Sequence, residues 1–425
     1  MLTTLHADAR ISNSALADVV GIAPSTCHAR LRRLQDLGVI RGFYTDIDPA
    51  AIGLTLQAMI SVSLQSGARA RIRDFIAHMR RLPQVMDVYF LAGADDFVEI
   101  EAWATEKLDW FRRYLRLAHG IPSHDTFGRV FAAIEADAFA MAFRRWVSGV
   151  APVLEQDEVV SIDGKTSRRS GKVGGTPLHL VSAFAAGAGL VLGQQATAVK
   201  SNEKTAIPEL LATLALEGCI VTIDAMGTQP SIAQAIRDRG ADYILSVKGN
   251  QPTLAESMED FFATFQTTPD KTPHSFDEVV EKDHGRVEVR RCYAFNQINC
   301  LASPERWPDL ISFAVIASER TIKDKTTLEL RFYISSLPAD AARLNRSIRQ
   351  HWRVENSVHW CMDVVFGDDR MRARTDNAAH NFAVMRHFAL NLLRLAPSKR
   401  KGGLKVQRLI AATSDDYRAQ ILGLL

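Results

Sequence analysis

Hydrophobic and polar positions change their period several times along the chain. In the first forty residues the period is helical. Ser12-Asn13-Ser14 can cap a helix running Ala15 to Val20, Gly21 permits a tight turn, and Pro24 stands near the first turn of a second helix. Leu31, Leu34 and Leu37 are expected to pack inward, which leaves Ser25, Thr26, His28, Arg32 and Arg33 for phosphate or base edges. The stretch reads as a helix-turn-helix domain over residues 1–55. The plainer alternative is a helical hairpin whose basic residues serve solubility.

From Ala92 to Val150 the period is again helical, including Lys107 to Leu117 and Ala136 to Trp146, with a break at Gly120 to Asp125. The pattern then changes to β-branched and apolar runs. Glu158 to Asp163, Leu178 to Ala186 and Leu190 to Val199 predict three successive strands. A helix from Ile207 to Glu217, a strand from Cys219 to Asp224, a helix from Ile232 to Arg239 and a strand from Tyr243 to Val247 follow. Three strands and then alternating helix and strand is the chain order of an RNase H-like α/β domain, expected over residues 151–396. A helix around Leu254 to Phe265 and strand-like runs at Val287 to Phe295, Ile311 to Ala317 and Leu328 to Ser335 predict a β-rich insertion at about 252–337. Residues 397–425 read as a basic C-terminal tail.

Composition narrows the class. The 425 residues are 47% hydrophobic and 23% charged, as in soluble globular proteins of two to four domains. The five cysteines are scattered without a CxxC pair, so neither a disulfide framework nor a zinc cluster is indicated, and a reducing cytoplasm fits. MLTTLHADAR lacks the features of a secretory signal. The longest apolar tract, Leu178 to Gly193, holds His179, Ser182 and three glycines, and reads as two strands rather than a membrane span. The formal charge of +3 does not establish nucleic-acid binding. Its distribution is more informative: Arg30, Arg32 and Arg33 cluster early, Lys165, Arg168, Arg169 and Lys172 follow an aspartate, and Arg394, Lys399, Arg400, Lys401 and Lys405 lie near the end. Lys248, Asn250 and Gln251 are further candidates for phosphate or strand contact, with a structural loop as the alternative.

Three acids carry the candidate chemistry. Asp163 and Asp224 each end a β-branched, apolar run, so their carboxylates are expected at strand ends, and Glu355 is expected on a helix. Two such aspartates and a glutamate can hold a pair of Mg2+ ions that activate a water or a DNA 3'-hydroxyl. Gly164-Lys165-Thr166 superficially resembles a phosphate loop, but Val159 stands where a Walker A loop needs glycine. His351, Glu355 and His359 recur every four residues on one helix side, which admits a zinc reading; the spacing is not HExxH and no cysteine cluster adds ligands.

The first ninety residues, through Gly38 to Phe43 and Asp46 to Pro49, resemble the Lrp/AsnC-type bacterial regulators. Against that pattern Leu56 to Leu64, Arg69 to Arg81 and Val85 to Leu91 correspond to a strand, helix and strand of a partial α+β sensing domain, residues 56–91. From about Ala92 the resemblance changes. Gly93-Ala94-Asp95-Asp96-Phe97, His119 to Phe131, Ser161-Ile162-Asp163-Gly164-Lys165-Thr166, Val247 to Gln251 and His351 to Trp360 are similar to the H-repeat-associated, ISAs-type insertion-sequence transposases.

That resemblance implies a DDE transposase with Asp163, Asp224 and Glu355 as catalytic, metal-holding acids, preceded by a transposase-associated helical region at 92–150. It implies Mg2+ as cofactor, with Mn2+ as the alternative. The implied partners are the element's terminal inverted repeats, target DNA and further copies of the chain on DNA, with no membrane; the implied place is the bacterial cytoplasm, at the nucleoid. The broader superfamily carries tyrosine, arginine and lysine around its third acid, whereas Ile348, His351 and Met362 occupy those spacings here, so those roles do not transfer. Asp363, Asp368 and Asp369 are nearby acidic reserves. An inactive fusion and a DNA-binding transcription regulator remain the alternatives.

Overall fold

The computed structural model describes residues 1–8, 10–37, 40, 96–168, 170–171, 177–197, 203–283, 286–322, 325–370, 372–396 and 402–424. The expected partial sensing domain at 56–91 lies outside them. The chain divides into two compact units, Met1–Val88 and Tyr89–Leu425.

In the first unit, α1 (Leu2–Ala7), α2 (Asn13–Val20) and α3 (Pro24–Asp36) are built around a small core of Leu16, Ala17 and Cys27. Ser12 caps α2 by accepting from the Ala15 N–H at 3.2 Å, so the helix begins two residues before the expected Ala15. Gly21 ends α2 in the left-handed conformation, φ 70°, which favours glycine. Leu31 and Leu34 are partly buried, but Leu37 is 65% exposed. The inward face expected of all three leucines therefore stops at Leu34: Leu37 caps the end of α3, beyond the reach of the small core.

The second unit opens with α4 (Phe97–Glu106), α5 (Leu108–Phe111), α6 (His124–Ala133) and α7 (Ala136–Val150). Side chains of Asp96, Ser123 and Glu135 cap α4, α6 and α7. The helix expected over Lys107 to Leu117 is helical only at Leu108–Phe111 and continues as turns. Then come β1 (Val159–Ser167), β2 (Leu178–Ala185), β3 (Leu190–Thr197), α8 (Glu203–Leu211), β4 (Ile220–Ile223), α9 (Pro230–Arg237) and β5 (Asp242–Val247). The remaining elements are α10 (Pro252–Thr267), β6 (Ser275–Asp283), β7 (Arg286–Phe295), β8 (Ser312–Ile322), β9 (Lys325–Ser335), α11 (Ala341–His351), α12 (Ala378–Leu395), α13 (Leu404–Thr413) and α14 (Asp415–Ile421).

The strands form one nine-stranded sheet in the order β3-β2-β1-β4-β5-β9-β8-β7-β6. β1, β2 and β3 are antiparallel neighbours, and β1, β4 and β5 are parallel. The first five strands thus have RNase H-like order. The runs expected as a β-rich insertion do form strands, joined by β6, which the sequence reading missed; β9 pairs antiparallel with β5, so they extend the same sheet.

Alternation along β1 sends Val160, Ile162, Gly164 and Thr166 to one face and Ser161, Asp163, Lys165 and Ser167 to the other. α8 packs on the first face. The segment after α11, together with α12, covers the second. The segment expected as a basic tail contains α13 and α14, which pack back onto the unit: the Trp103 indole donates to the Ala412 carbonyl at 3.2 Å, and the Arg418 guanidinium lies 4.0 Å from the Trp110 ring centre.

Candidate metal centre

β1 and β4 run parallel with Ile162 opposite Ile223, so Asp163 and Asp224 take the next position on each strand. Here β4 ends, while β1 continues beside β2 through Ser167. Asp163 therefore lies inside its strand, and the expected strand end is a correction. What ends at Asp163 is the pairing with β4. The carboxyl ends of parallel strands are where open α/β sheets form ligand crevices.

Asp224 is half-buried and accepts from the Met226 N–H at 3.1 Å, capping the short turn Ala225–Gly227. Burial raises its pKa, and the negative charges of Asp163 and Glu203 raise it further. Burial also pushes Asp163 upward, but the hydrogen bond from His359, the fields of His359 and His351, and the Gly164 N–H outweigh it, leaving that carboxyl below its ordinary value.

The third acid arrives from α11. At its end His351, half-buried and with its pKa lowered by desolvation, pairs through Nδ1 with the Thr222 hydroxyl at 2.9 Å, fixing the helix to β4. Two wide π-helical turns follow, Glu355–His359 and Cys361–Val365. Such turns reorient side chains relative to an α-helix. His359 Nε2 comes to 3.0 Å from Asp163 Oδ2. Ligand-capable atoms of Asp163, Glu355 and His359 all lie within 4.8 Å of one another. Asp224 stands outside that tight group, just past the end of the neighbouring strand β4. The His359 Nδ1 is buried and has no hydrogen-bond partner among the described residues. Converging carboxylate oxygens suit a hard divalent cation, and an imidazole beside them widens the choice of metal, so the residues present fit a divalent ion.

The other candidates are placed less uniformly. The Lys165 ammonium is engaged by Asp363 at 2.5 Å, and Asp368 is buried against Arg386 at 2.6 Å, so two acidic reserves are already neutralised. Arg168 is exposed, while Arg169 and Lys172 lie outside the described residues. Lys248 is exposed; the amides of Asn250 and Gln251 donate to the carbonyls of Ala225 and Thr228, bracing the segment after Asp224. Ser25, Thr26, His28, Arg32 and Arg33 are all exposed in the first unit. Arg394, grouped by sequence with the terminal basic residues, donates to the carbonyls of Gly189 and Ser357.

Sequence reasoning singled out His359 only through its spacing from His351 and Glu355; its contact with Asp163 had no local signal. Glu203, whose charge reaches Asp224, was not singled out at all.

Fold and site together define an RNase H-like protein with an acidic centre at the carboxyl ends of its parallel strands. Residues 154–392 match the Transposase DDE domain family, residues 85–147 a DDE_Tnp_1-associated domain, and residues 1–41 a winged helix-turn-helix DNA-binding domain. The chain is 39% identical over 352 residues to "Putative transposase YncI" of Escherichia coli O157:H7, covering 80% of this chain and 89% of that protein. It is 36% identical over 349 residues to "H repeat-associated putative transposase YhhI" of Escherichia coli K12, covering 78% and 89%. The N-terminal part is 72% identical over 112 residues to the "HTH-type transcriptional regulator AldR" of Mycolicibacterium smegmatis, covering 26% of this chain and 66% of that protein. The chain belongs to the DDE transposase family, whose members use divalent metal ions. The regulator likeness is confined to the N-terminal part.

Proposed function

We propose that this transposase cuts and rejoins DNA at the ends of its own element, with Asp163, Asp224 and Glu355 as the metal-holding catalytic acids and Mg2+, or Mn2+, as the ion. The observation that carries the reading is that Asp163 on β1 and Asp224 just past the end of β4 follow the paired Ile162 and Ile223, with Glu355 at the π-helical turns bringing a ligand atom within 4.8 Å of Asp163. The bound ion would supply Lewis acidity, making water or a 3'-hydroxyl a competent nucleophile and stabilising the leaving oxygen at phosphorus.

The protein's own groups do the rest. His359 holds one oxygen of Asp163, and the Gly164 N–H holds the other at 2.8 Å, so that carboxylate is oriented before DNA arrives. Asn250 and Gln251 steady the loop after Asp224, and Lys248 and Arg168 are exposed for phosphate. Ser25, Thr26, His28, Arg32 and Arg33, exposed in the first unit, are the proposed DNA contacts there, and Arg169, outside the described residues, is proposed as a further one. The partners are the terminal inverted repeats, target DNA and further copies of this chain, in the cytoplasm at the nucleoid. No helix among the described residues is long and apolar enough to cross a membrane.

The proposed division of the chain is 1–55, 56–91, 92–150, 151–396 and 397–425, with the insertion at about 252–337. The deciding experiment is Mg2+-dependent cleavage of DNA carrying the element's ends by the parent, Asp163→Ala, Asp224→Ala and Glu355→Ala. Cleavage by the parent alone supports the triad. A parent that folds and binds the ends without cutting them supports the inactive-fusion alternative.

A further inference from the structure

On the face of β1 opposite Asp163 lies a pair of ionisable groups that the reaction, as described, does not use. Glu203, at the start of α8, and His179, on β2, have side chains 5% and 2% exposed, with His179 Nε2 2.6 Å from Glu203 Oε1. The other ring nitrogen of His179 is 2.8 Å from the Thr166 hydroxyl, and Thr166 and His179 are directly opposite in the β1–β2 register. Thr166, His179 and Glu203 thus form a continuous hydrogen-bonded chain linking β1, β2 and α8.

Gly164 rests on this chain. A Cβ there would meet Glu203 Oε1 at 2.4 Å and His179 Nε2 at 2.7 Å, so only glycine lets the strand come this close. The same residue gives its N–H to Asp163 Oδ1. The charge of Glu203 also reaches Asp224, whose pKa it raises. A buried hydrogen-bonded pair is no better for stability than apolar groups of the same shape. Its place against Gly164, next to Asp163 in β1, gives it a different use.

We infer that Glu203 is a positioning residue for the acidic centre: through His179 and Gly164 it sets the orientation of Asp163, and its buried charge strengthens the hold of Asp163 and Asp224 on a divalent cation. This rests on the metal-holding role proposed above for those two aspartates.

The test is Mn2+ binding to the full-length chain, by calorimetry and by the electron paramagnetic resonance signal of free Mn2+. Glu203→Gln keeps the shape and an acceptor for the His179 N–H while removing the charge. Groups hydrogen-bonded to metal ligands typically contribute roughly 10–100-fold to metal affinity, and Glu203 acts one contact further out, so the variant should bind Mn2+ about tenfold more weakly, with its circular dichroism and melting temperature retained. Thr166→Val, which releases His179 from β1, should weaken binding in the same direction. Parent-like Mn2+ affinity in a folded Glu203→Gln protein overturns the inference. Should Glu203→Gln fail to fold, parent-like affinity in Thr166→Val overturns it instead. Asp224→Asn separates the two readings: parent-like binding there overturns the metal centre itself, whereas loss there with parent-like Glu203→Gln overturns the role of Glu203 alone.

Discussion

His359 Nε2 sits 3.0 Å from Asp163 Oδ2, joining the π-helical segment to the middle of β1 across 196 residues of sequence. The contact holds the first acid from the side opposite its own backbone. Removing the ring should leave the sheet intact but free the carboxylate to rotate. His359→Ala is expected to cut DNA-end cleavage by roughly 10–100-fold, the usual cost of losing an orienting partner. Single-turnover cleavage at saturating metal checks it; a parent-like rate would remove His359 from the site.

Gly164→Ala should destabilise the second unit by about 1–3 kcal/mol, the usual cost of overpacking, because its methyl would press on the buried Glu203–His179 pair. Urea unfolding gives the number. An unchanged midpoint would mean that α8 yields freely.

The Asp368–Arg386 pair has side chains only 6% and 5% exposed. Breaking such a pair leaves an uncompensated buried charge and typically costs about 3–5 kcal/mol. Asp368→Asn is therefore expected to unfold at clearly lower denaturant than the parent. A loss below about 1 kcal/mol, within the range of a surface ion pair, would contradict the burial described.

His387 is buried beside Gln194, and burial lowers its pKa from 6.5 to about 3. Between those values the unfolded chain binds a proton that the folded one refuses, so stability is fully present above about pH 6.5 and is lost as pH falls toward 3. The melting temperature of the parent should drop more steeply from pH 7 to pH 4 than that of His387→Asn. Parallel curves would show that His387 takes up its proton in the folded state.

Arg32→Ala and Arg33→Ala should weaken DNA binding similarly across sequences if these side chains meet phosphate. Each would also reduce the slope of log affinity against log salt by about 1. Fluorescence anisotropy at several salt concentrations measures both; an unchanged slope assigns the residue to a solvated face.

The strand order was legible because β-branched runs such as Val159 to Ile162 and Ile220 to Ile223 leave little alternative to burial. β6 was not, since Phe276-Asp277-Glu278-Val279-Val280-Glu281 is charged and pairs with β7 alone. The strand end is expected at Asp163 because the β-branched, apolar run stops there; pairing with β2, decided far along the chain, keeps the following residues extended. The proposed acids stand out in local context. Their supports do not, because the His359–Asp163 and Glu203–His179 contacts depend on which faces of the sheet the helices cover.

Had the sheet stopped at β5, that strand would present its unpaired amides and carbonyls beside the acidic centre, inviting another chain to add to the sheet there. β9 occupies that position and carries the open edge four strands outward to β6. β6 bears Asp277, Glu278, Glu281 and Lys282, and charges of this kind discourage edge-to-edge pairing. The β-rich segment therefore acts as a selvedge for the sheet, finishing its border four strands beyond β5.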